Sequence, residues 1–242
     1  MRIREAVTHE ELDEVALIQR EVWNAADIDI AGRIHLRATQ HAGGSVLIAE
    51  EAGVIGGFAY AFPALHQGEA FWHSDMLAVR PQYRGTGLGQ ALKWAQRDAA
   101  LDRGIGRITW TFDPMQAGNA HLNLTLLGAT SREYLRNFYG VTTSDLHHGL
   151  PTDRLLASWD LRSTRVEALA RGNAPEAPAA HGAERVAIPP RWNALVSSDP
   201  ARARDEQARV ASALESAFAR GLAALFFDKA QAAYVLGPPD RP

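Results

Sequence analysis

The stretch Arg-Gly-Thr-Gly-Leu-Gly, from Arg84 to Gly89, lies between an apolar segment typical of a strand and an amphipathic segment typical of a helix. A glycine-rich turn of this kind exposes several backbone N–H groups at the helix start, and these donors and the helix dipole favour a phosphate. Gly85, Gly87 and Gly89 permit positive φ and keep side chains out of the way. The stretch therefore predicts a loop that holds a pyrophosphate, with Arg84 adding a positive charge.

Three kinds of phosphate-binding loop compete for this stretch. A Walker loop requires Gly-Lys-Ser/Thr, which is absent. A dinucleotide loop requires Gly-x-Gly-x-x-Gly after an early strand, whereas the spacing here is Gly-x-Gly-x-Gly and lies late in the chain. The third pattern, Arg/Gln-x-x-Gly-x-Gly/Ala, is filled by Arg84, Gly87 and Gly89. A tight turn without a ligand is the alternative to all three.

Composition favours a folded, soluble protein. The 242 residues are 46% hydrophobic and 22% charged, and the net charge of −3 offers no basic excess to nucleic acid or an anionic membrane. The absence of cysteine excludes disulfides, thiolate nucleophiles and cysteine zinc sites. The N-terminus lacks the apolar segment of a secretory signal, and no apolar run approaches the ~18–20 residues that span a bilayer. We therefore expect a cytoplasmic protein with no nucleic-acid or membrane partner.

Apolar periodicity predicts a mixed α/β order with a strand–helix–strand crossover in its middle. Thr8 and Glu11 have the spacing of a capping box before the first helix. The predicted strands cover residues 2–7, 46–50, 54–62, 70–79, 105–112, 131–139 and 155–161. The later predicted helices cover residues 31–40, 87–103 and 119–127. Beyond a linker at about residues 171–181, we expect a strand (185–188), a long helix (202–220) and a hairpin (224–227 with 233–236).

A longer segment around the loop resembles a known family. From Met76 to Leu92 the sequence Met-Leu-Ala-Val-Arg-Pro-Gln-Tyr-Arg-Gly-Thr-Gly-Leu-Gly-Gln-Ala-Leu is similar to the acyl-CoA signature of the GNAT acyltransferase superfamily, over its fourth strand and third helix. The likeness extends more weakly from residue 1 to about residue 162. It implies an α/β fold with a mixed, mostly antiparallel central sheet, splayed between strands 4 and 5 and flanked by helices.

The same resemblance implies how the co-substrate, acetyl-CoA or another acyl-CoA, is held. The backbone amides after Arg84 would bind the pyrophosphate, and the fourth strand would pair with the pantetheine arm. Asn119 or Asn123 would contact that arm from the region of the fourth helix. The residues implied in acyl-CoA binding are Leu77, Val79, Arg84, Gly85, Thr86, Gly87, Leu88, Gly89, Asn119 and Asn123.

Four shorter motifs resemble a little-characterised GNAT subgroup with a C-terminal extension. The implied division is an acyl-CoA-binding domain over residues 1–162 and a small α+β extension over residues 163–242. Some members of that subgroup are associated with the N-acylation of amino acids, including from succinyl-CoA. The motifs are Trp-Thr-Phe-Asp-Pro (110–114), Asn-Ala-His-Leu-Asn (119–123), Asn-Phe-Tyr-Gly (137–140) and Thr-Asp-Arg (152–154).

Two residues of the predicted fourth strand are candidates for the chemistry. Acylation needs a neutral amine, so a base must take a proton directly or through water. Many family members place a carboxylate about eleven residues before the loop arginine, and His73 occupies that position. Asp75 lies two residues further on, on the same face of a regular strand, where it could orient His73 and raise its basicity. A solvated strand histidine is the alternative.

One position departs from the family pattern. Many members use a tyrosine in the fourth helix as the acid that protonates the thiolate, and Leu124 stands there. Tyr134 or Tyr139 could replace it, unless both simply pack in a strand. Arg154 could bind a substrate carboxylate in a bidentate fork, or form an ion pair with Asp153. No ligand spacing indicates a metal, since the adjacent His147 and His148 would point to opposite faces of a strand.

These observations predict an acyl-CoA-dependent N-acyltransferase acting on a primary amine of a small molecule, in which an amino acid is one candidate. Transfer would be direct, in a ternary complex, because no cysteine is present to carry the acyl group. The alternatives are a protein or peptide N-acetyltransferase and a non-catalytic acyl-CoA sensor. The extension leaves room for a homodimer contact.

Overall fold

The computed structural model describes residues 1–24, 26–140, 150–177 and 183–239. Their packing forms two compact units, one of residues 1–110 and the other of the described residues from 111 onward. Strand β5 (Arg107–Phe112) runs from the first unit into the second. The predicted division at residue 162 follows family likeness rather than packing, and it stays a prediction.

The first unit is a five-stranded sheet with helices on both faces. Its strand order is β1-β2-β3-β4-β5, antiparallel except for the parallel pair β4–β5. The other strands are β1 (Arg2–Glu5), β2 (Ser45–Glu51), β3 (Val54–His66) and β4 (Glu69–Val79). The helices are α1 (His9–Trp23), α2 (Arg33–His41) and α3 (Leu88–Asp102), and the 3-10 turns are Asp27–Asp29 and Pro81–Tyr83.

Alternating strand residues build a separate core on each face of this sheet. On one face Phe58 and Tyr60 pack with Leu12 of α1 and Leu36 of α2. On the other face Leu47, Ala49 and Ala59 pack with Leu88 and Leu92 of α3. The apolar strand residues, which alternate with a period of 2, therefore pack against apolar helix residues, which recur with a period of 3.6. This packing forms one layer on each side of the sheet, as the sequence pattern predicts.

Strand β3 continues past the predicted end at Phe62. Pro63 lies within the strand opposite Trp72, and pairing with β4 runs on to His66 and Glu69. Pairing with β2 has already ended at Ala61, so that side of β3 is an open edge. Because an open edge requires no N–H donor, a proline is tolerated there.

The second unit contains an antiparallel sheet in the order β7-β6-β9-β10-β8. Its strands are β6 (Thr130–Leu135), β7 (Arg154–Asp160), β8 (Glu184–Ala187), β9 (Ala223–Asp228) and β10 (Ala233–Gly237). Its helices are α4 (Ala117–Ala120), which continues as a π-helical turn (His121–Leu126), α5 (Thr164–Ala170), α6 (Trp192–Ser198) and α7 (Pro200–Ala219).

The extension predicted after residue 162 adds strands to β6. The expected hairpin is present as β9 and β10, and Ala224 of β9 pairs with Ser131 of β6. The hydroxyl of the fully buried Tyr234 on β10 donates to the carbonyl of Pro114 at 2.6 Å. The extension thus shares one core with residues 111–140. Helix α6 was not predicted, because seven residues are too few for a clear apolar period.

Glu11 joins the first helix to the first strand. Its backbone N–H donates to Thr8 Oγ1 at 3.2 Å and its carboxylate accepts from the Thr8 N–H at 3.1 Å, which completes the predicted capping box. Arg4 donates to the same carboxylate at 2.6 Å. These hydrogen bonds, with that of Arg4 the strongest, lower the pKa of Glu11 to about 2.

We predict that Glu11→Gln lowers the free energy of unfolding at pH 7 by about 1–2 kcal/mol, because it weakens the cap and removes the charge that faces Arg4. A carboxyl whose folded pKa is depressed stabilises the protein above its unfolded pKa of about 4.3, and this contribution is lost as the pH falls toward 2. The difference in melting temperature between variant and wild type should therefore shrink from pH 7 to pH 3. Asp102→Asn, at an exposed residue, is the control. A gap independent of pH would contradict this account.

Candidate functional site

The glycine-rich loop has the backbone shape that its sequence predicts. Gly85 and Gly87 have φ values of 77° and 86°, in the left-handed region that favours glycine. Gly87 is the N-cap of α3 and offers no side-chain cap, so the first amides of the fifteen-residue helix point into open space. A Cβ added at either glycine would meet no atom within 4 Å. The loop therefore has open space beside both glycines and a helix start without a side-chain cap.

The side chains of Arg84 and Thr86 form hydrogen bonds with the residues that precede the loop. Arg84 is exposed, and its Nε donates to the carbonyl of Val79 at 3.3 Å. Thr86 Oγ1 donates to the carbonyl of Tyr83 at 2.8 Å. The exposed guanidinium adds a positive charge next to the loop, and this charge favours an anion.

Strands β4 and β5 separate immediately beyond a short region of pairing. Their parallel register joins Trp72 with Ile108 and His73 with Thr109. Pairing with β3 continues along β4 to Val79. From Ser74 to Val79, the other edge of β4 therefore has no strand partner within the described residues of the first unit. Leu77 and Val79 lie on this open edge, which leads directly to the glycine loop.

A β-bulge interrupts β4 at the start of that open edge. Tyr60 of β3 pairs with Met76 of β4, and Phe62 pairs with His73. The interval is thus two residues on β3 and three residues on β4. The extra residue lies between His73 and Met76, in the segment that contains Asp75. The bulge breaks the alternation of side chains between His73 and Met76, and the exposed carboxyl of Asp75 is within the electrostatic influence of His35.

His73 lies at the last paired position of β4. Its Nδ1 is 3.0 Å from Thr109 Oγ1, and its ring stacks on Phe62 with centroids 5.2 Å apart. Desolvation, and secondarily the charge of Lys93, lower the pKa of His73. The expectation that Asp75 orients His73 and raises its basicity is therefore wrong, because Thr109 holds the ring and the pKa moves down. The neutral imidazole favoured at pH 7 can accept a proton.

Asp75 carries a carboxylate whose charge is not neutralised by a contact. Desolvation raises its pKa, and the charge of His35 opposes that rise. Among the residues that the structure describes, no hydrogen bond or ion pair reaches this carboxylate, although the residue remains exposed. A partly desolvated carboxylate without a partner attracts a cation.

Lys93 is a functional-site feature that the sequence prediction missed. It is 2% exposed, and its Nζ donates to Ser74 Oγ at 2.9 Å and to Gln96 Oε1 at 3.0 Å. The same nitrogen lies 3.7 Å from the ring centroid of Trp110. Burial lowers its pKa well below the ordinary value. A lysine in register with the buried Gln96 and Ala100 on α3 was the available signal.

In the second unit, the predicted pantetheine contacts have different environments. Asn119 is exposed on α4, whereas Asn123 is 5% exposed in the π-helical turn. Leu124, at the position of the family's usual tyrosine, is fully buried. No acid group is therefore available at position 124, and Asn119 is the more accessible of the two asparagines.

The subgroup motifs around residues 137 and 152 form a single hydrogen-bond network. Asp153 accepts from the Tyr134 hydroxyl at 2.8 Å and from the Asn137 N–H at 2.8 Å. Asn137 Oδ1 accepts from the Thr152 N–H, and Thr152 Oγ1 accepts from the Tyr139 N–H. Desolvation and the negative charge of Asp153 raise the pKa of Tyr134 well above its ordinary range. Tyr134 is thus a poor proton donor, and the network has a structural role.

Arg154 and Tyr139 remain accessible beside that network. The Arg154 guanidinium stacks over the Tyr139 ring at 5.1 Å from its centroid and donates to the Asp153 carbonyl at 2.9 Å. The Tyr139 hydroxyl lies 2.8 Å from Thr111 Oγ1. The Asp153 carboxylate accepts from Tyr134 and Asn137, and the role of Arg154 stays a prediction.

Metal and membrane features were also sought. His147 and His148 lie outside the described residues. Over the described ranges, no group of three or more His, Asp or Glu side chains is arranged to hold a metal ion. No helix in the same ranges combines the length and apolar character that a bilayer crossing requires.

Residues 8–123 match the model of the acetyltransferase (GNAT) family. The matched segment begins at the cap of α1 and ends in the π-helical turn, so it includes the glycine loop, the open edge of β4 and both candidate residues of that strand. A search of curated protein sequences gave no match.

Solved structures agree with this fold. The chain is similar to the putative acetyltransferase yncA from Salmonella typhimurium, determined with its cofactor acetyl-CoA (21% identity, TM-score 0.54, 74% of this chain and 98% of that chain). It is also similar to the ribosomal-protein-S18-alanine N-acetyltransferase from Escherichia coli (19%, 0.52, 67% and 95%). A third likeness is to an aminoglycoside 6'-acetyltransferase type Ii (17%, 0.54, 67% and 99%). The predicted GNAT fold is confirmed.

We predict that Lys93→Met raises the melting temperature at pH 7, by an amount equivalent to about 1 kcal/mol, because it removes a buried amine. A lysine whose folded pKa is lowered binds its proton less tightly in the folded chain, so its cost fades as the pH rises toward about 10.4. The gain of the variant should therefore shrink between pH 7 and pH 10. Lys229→Met, at an exposed residue, is the control. A lower melting temperature at pH 7 would show that the contacts with Ser74, Gln96 and Trp110 outweigh desolvation.

Proposed function

We propose that this protein is an acyl-CoA-dependent N-acyltransferase that acts on a primary amine of a small molecule. One observation carries the proposal. The unpaired edge of β4 is followed, after the 3-10 turn Pro81–Tyr83, by a glycine loop at the start of α3, where no side chain caps the first amides. An extended polar arm that ends in a pyrophosphate matches both parts, since the strand edge offers N–H and C=O groups and the helix start favours phosphate.

The donor is held by residues of one continuous segment. The amides from Gly85 to Gly89 receive the pyrophosphate, and Arg84 adds its charge at the rim. Leu77 and Val79 pair their backbone groups with the pantetheine arm. A Cβ added at Gly89 would lie 3.8 Å from the Leu77 and Val79 side chains, at ordinary contact distance, so the start of α3 lies beside the end of β4. Asn119 and Asn123 remain predicted contacts of the same arm.

The reaction is a direct transfer. The amine nitrogen attacks the thioester carbonyl carbon, the C–S bond breaks and coenzyme A leaves as a thiolate. The proton lost by the amine goes to a base, and His73 and Asp75 are the two candidates. His73 is neutral at pH 7 because burial lowers its pKa. Asp75 attracts the ammonium form of the amine, since no other cation contacts its carboxylate among the described residues.

A small-molecule amine, such as an amino acid, is supported by Arg154. Its guanidinium lies 5.1 Å from the centroid of the Tyr139 ring, and a guanidinium is the group that binds a carboxylate in a bidentate fork. An amino-acid acceptor would present such a carboxylate beside its amine. Acetyl-CoA is the simplest donor, and succinyl-CoA is a second candidate from the subgroup resemblance.

A non-catalytic acyl-CoA sensor is the second candidate function. It is favoured by the fully buried Leu124 where the family's usual acid would stand, and by the engagement of Tyr134 with Asp153. The two functions share the donor site and differ in the need for His73 and Asp75. A peptide acyltransferase would differ from both in accepting peptides better than free amines.

We predict that saturating acetyl-CoA, at ~100-fold its Kd, stabilises the protein by about 2.7 kcal/mol, and that Gly87→Val abolishes this thermal shift. The valine side chain would occupy the space beside the loop, and valine disfavours the left-handed backbone conformation of Gly87. Both effects would close the loop to the pyrophosphate. Gly68→Val is the matched control, because Gly68 also has positive φ (82°) and open space around it. Each variant should lose about 1–2 kcal/mol of intrinsic stability, and only Gly87→Val should lose the shift. The absence of a thermal shift with every acyl-CoA would contradict the proposal.

We predict that His73→Gln and Asp75→Asn each lower kcat/KM for the amine by ~10²-fold or more, with the acetyl-CoA thermal shift unchanged. If His73 is the base, the acid limb of the wild-type pH profile lies below 6.5, because its pKa is lowered. Steady-state rates with a panel of amino acids and short peptides measure both effects. Unchanged rates in both strand variants would favour the sensor.

Arg154→Gln should raise KM for amino acids and leave KM unchanged for amines that lack a carboxylate.

A further inference from the structure

The side chain of Lys93 reaches from α3 to the point where β4 and β5 separate. The parallel pairing of the two strands ends with His73 opposite Thr109. An unbroken register would next bring Ser74 opposite Trp110. Nζ of Lys93 donates to Ser74 Oγ at 2.9 Å and lies 3.7 Å from the ring centroid of Trp110. The amine therefore contacts both residues of the first pair that the two strands do not form.

These contacts lie in the interior of the first unit. The side chains of Ser74, Lys93 and Trp110 are all buried, and all three residues belong to that unit. A hydrogen bond or a ring contact of an amine is stronger where water is excluded. Because a buried donor without a partner is unfavourable, the amine holds Ser74 and Trp110 at these distances.

Stability alone does not account for this cluster. Lys93 also donates to Oε1 of the fully buried Gln96, whose Nε2 has no hydrogen-bond partner within the described residues. Burial lowers the pKa of Lys93 well below its ordinary value, because the charged form loses its hydration. Apolar side chains of similar size are often at least as stable in such a place. We therefore looked for a use of the amine in the site.

The amine opposes a longer ladder between β4 and β5. Paired strands lie about 4.8 Å apart, and side chains of one pair on the same face then lie next to each other. At Ser74 and Trp110 the amine contacts both side chains instead. The backbone groups on the open edge of β4 would otherwise favour another pair, since such groups need partners. The contacts of Lys93 thus favour separated strands over a ladder that continues.

We propose that Lys93 is a positioning residue of the acyl-CoA site, which ends the β4–β5 pairing through Ser74 and Trp110 and so keeps the edge of β4 free for the pantetheine arm. The inference rests on the proposed function, since it concerns the donor site of that function. It adds a buried residue of α3 to a site formed by β4 and the glycine loop.

The place of this cluster matters because acyl-CoA has a direction. A pyrophosphate at the glycine loop places the start of the arm near Val79 and its thioester end toward Ser74. A further pair of β4 with β5 would occupy backbone groups at that far end of the open edge. Such pairing would compete with the thioester end of the arm and leave the glycine loop unaffected.

The test compares the binding of acetyl-CoA with that of its nucleotide part, 3′-phospho-ADP, which has the pyrophosphate but lacks the arm. Lys93→Met removes the amine and keeps a long side chain. The Kd of acetyl-CoA should rise about tenfold in this variant, because only molecules with separated strands bind the arm. The Kd of 3′-phospho-ADP should not change. Titration calorimetry, well below the melting temperature of each variant, measures both constants.

Steady-state rates provide a second readout. KM for acetyl-CoA should rise in Lys93→Met as its Kd does, whereas kcat should not change, because saturating acetyl-CoA selects the molecules with separated strands. A loss of folded enzyme would have the opposite pattern, with a lower apparent kcat and an unchanged KM.

Ser74→Ala tests the same role from β4. It removes the hydrogen bond between the amine and the strand, and it should raise the Kd of acetyl-CoA by about two- to tenfold. In the Lys93→Met background it should add nothing, because both substitutions break one interaction. Thr39→Val is the matched control. It removes another buried hydroxyl, which contacts Tyr60 on the face that packs with α1 and α2, and should leave every constant unchanged.

Three results would overturn the role of Lys93. They are an unchanged Kd of acetyl-CoA in Lys93→Met, an equal loss of affinity for acetyl-CoA and 3′-phospho-ADP, and additive effects in the double variant. If Lys93→Met does not fold, an unchanged Kd in Ser74→Ala decides against the role. A wild-type protein that binds no acyl-CoA or acylates no amine would instead refute the proposed function.

Discussion

The parallel pairing of β4 with β5 stops at His73 and Thr109, and most of the site depends on that early stop. Backbone N–H and C=O groups in a folded protein need partners, yet one edge of β4 has no strand partner from Ser74 to Val79 within the described residues of the first unit. An edge like this is ordinarily covered or interrupted by charge. Here it leads to a helix start with open amides, which lie in line with the strand.

The end of the ladder also determines the environment of the titratable residues. His73 occupies the last paired position, so Thr109 on the neighbouring strand can hold its ring. On the opposite face of β4, Lys93 is buried against Ser74 and Trp110. The lysine adds to the desolvation that lowers the pKa of His73. The early end of the β4–β5 pairing therefore leaves an open backbone edge on β4. It also places a neutral imidazole, that of His73, where this edge begins.

Local patterns in the sequence predicted the elements that depend on neighbours in the chain. The glycine spacing after β4 determines the left-handed turns at Gly85 and Gly87, and the Thr8–Glu11 spacing determines a capping box. Both of these predictions rest on contacts between residues a few positions apart, where propensity and spacing are informative. The candidate His73 came instead from the resemblance to the GNAT superfamily, and Asp75 from its position two residues further along the strand.

Contacts between distant segments could not be predicted in the same way. The partner of Asp153 is Tyr134 rather than the adjacent Arg154, because a β-strand turns adjacent side chains to opposite faces. The bulge in β4 depends on its register with β3, which periodicity within one strand does not reveal. The burial of Lys93 depends on Trp110 and Ser74, both more than fifteen residues away.

The bulge has a chemical consequence. In an unbroken strand Asp75 and Met76 would lie on opposite faces, and a carboxylate would alternate with the apolar residues on each side. The additional residue breaks this alternation, and Met76 still packs against the core that contains Phe58 and Tyr60. Asp75 itself remains exposed. Since desolvation raises the free energy of an unpartnered carboxylate, the site gains most from a ligand that brings a positive charge. An ammonium group is such a ligand, and the same carboxylate that attracts it is placed to take its proton.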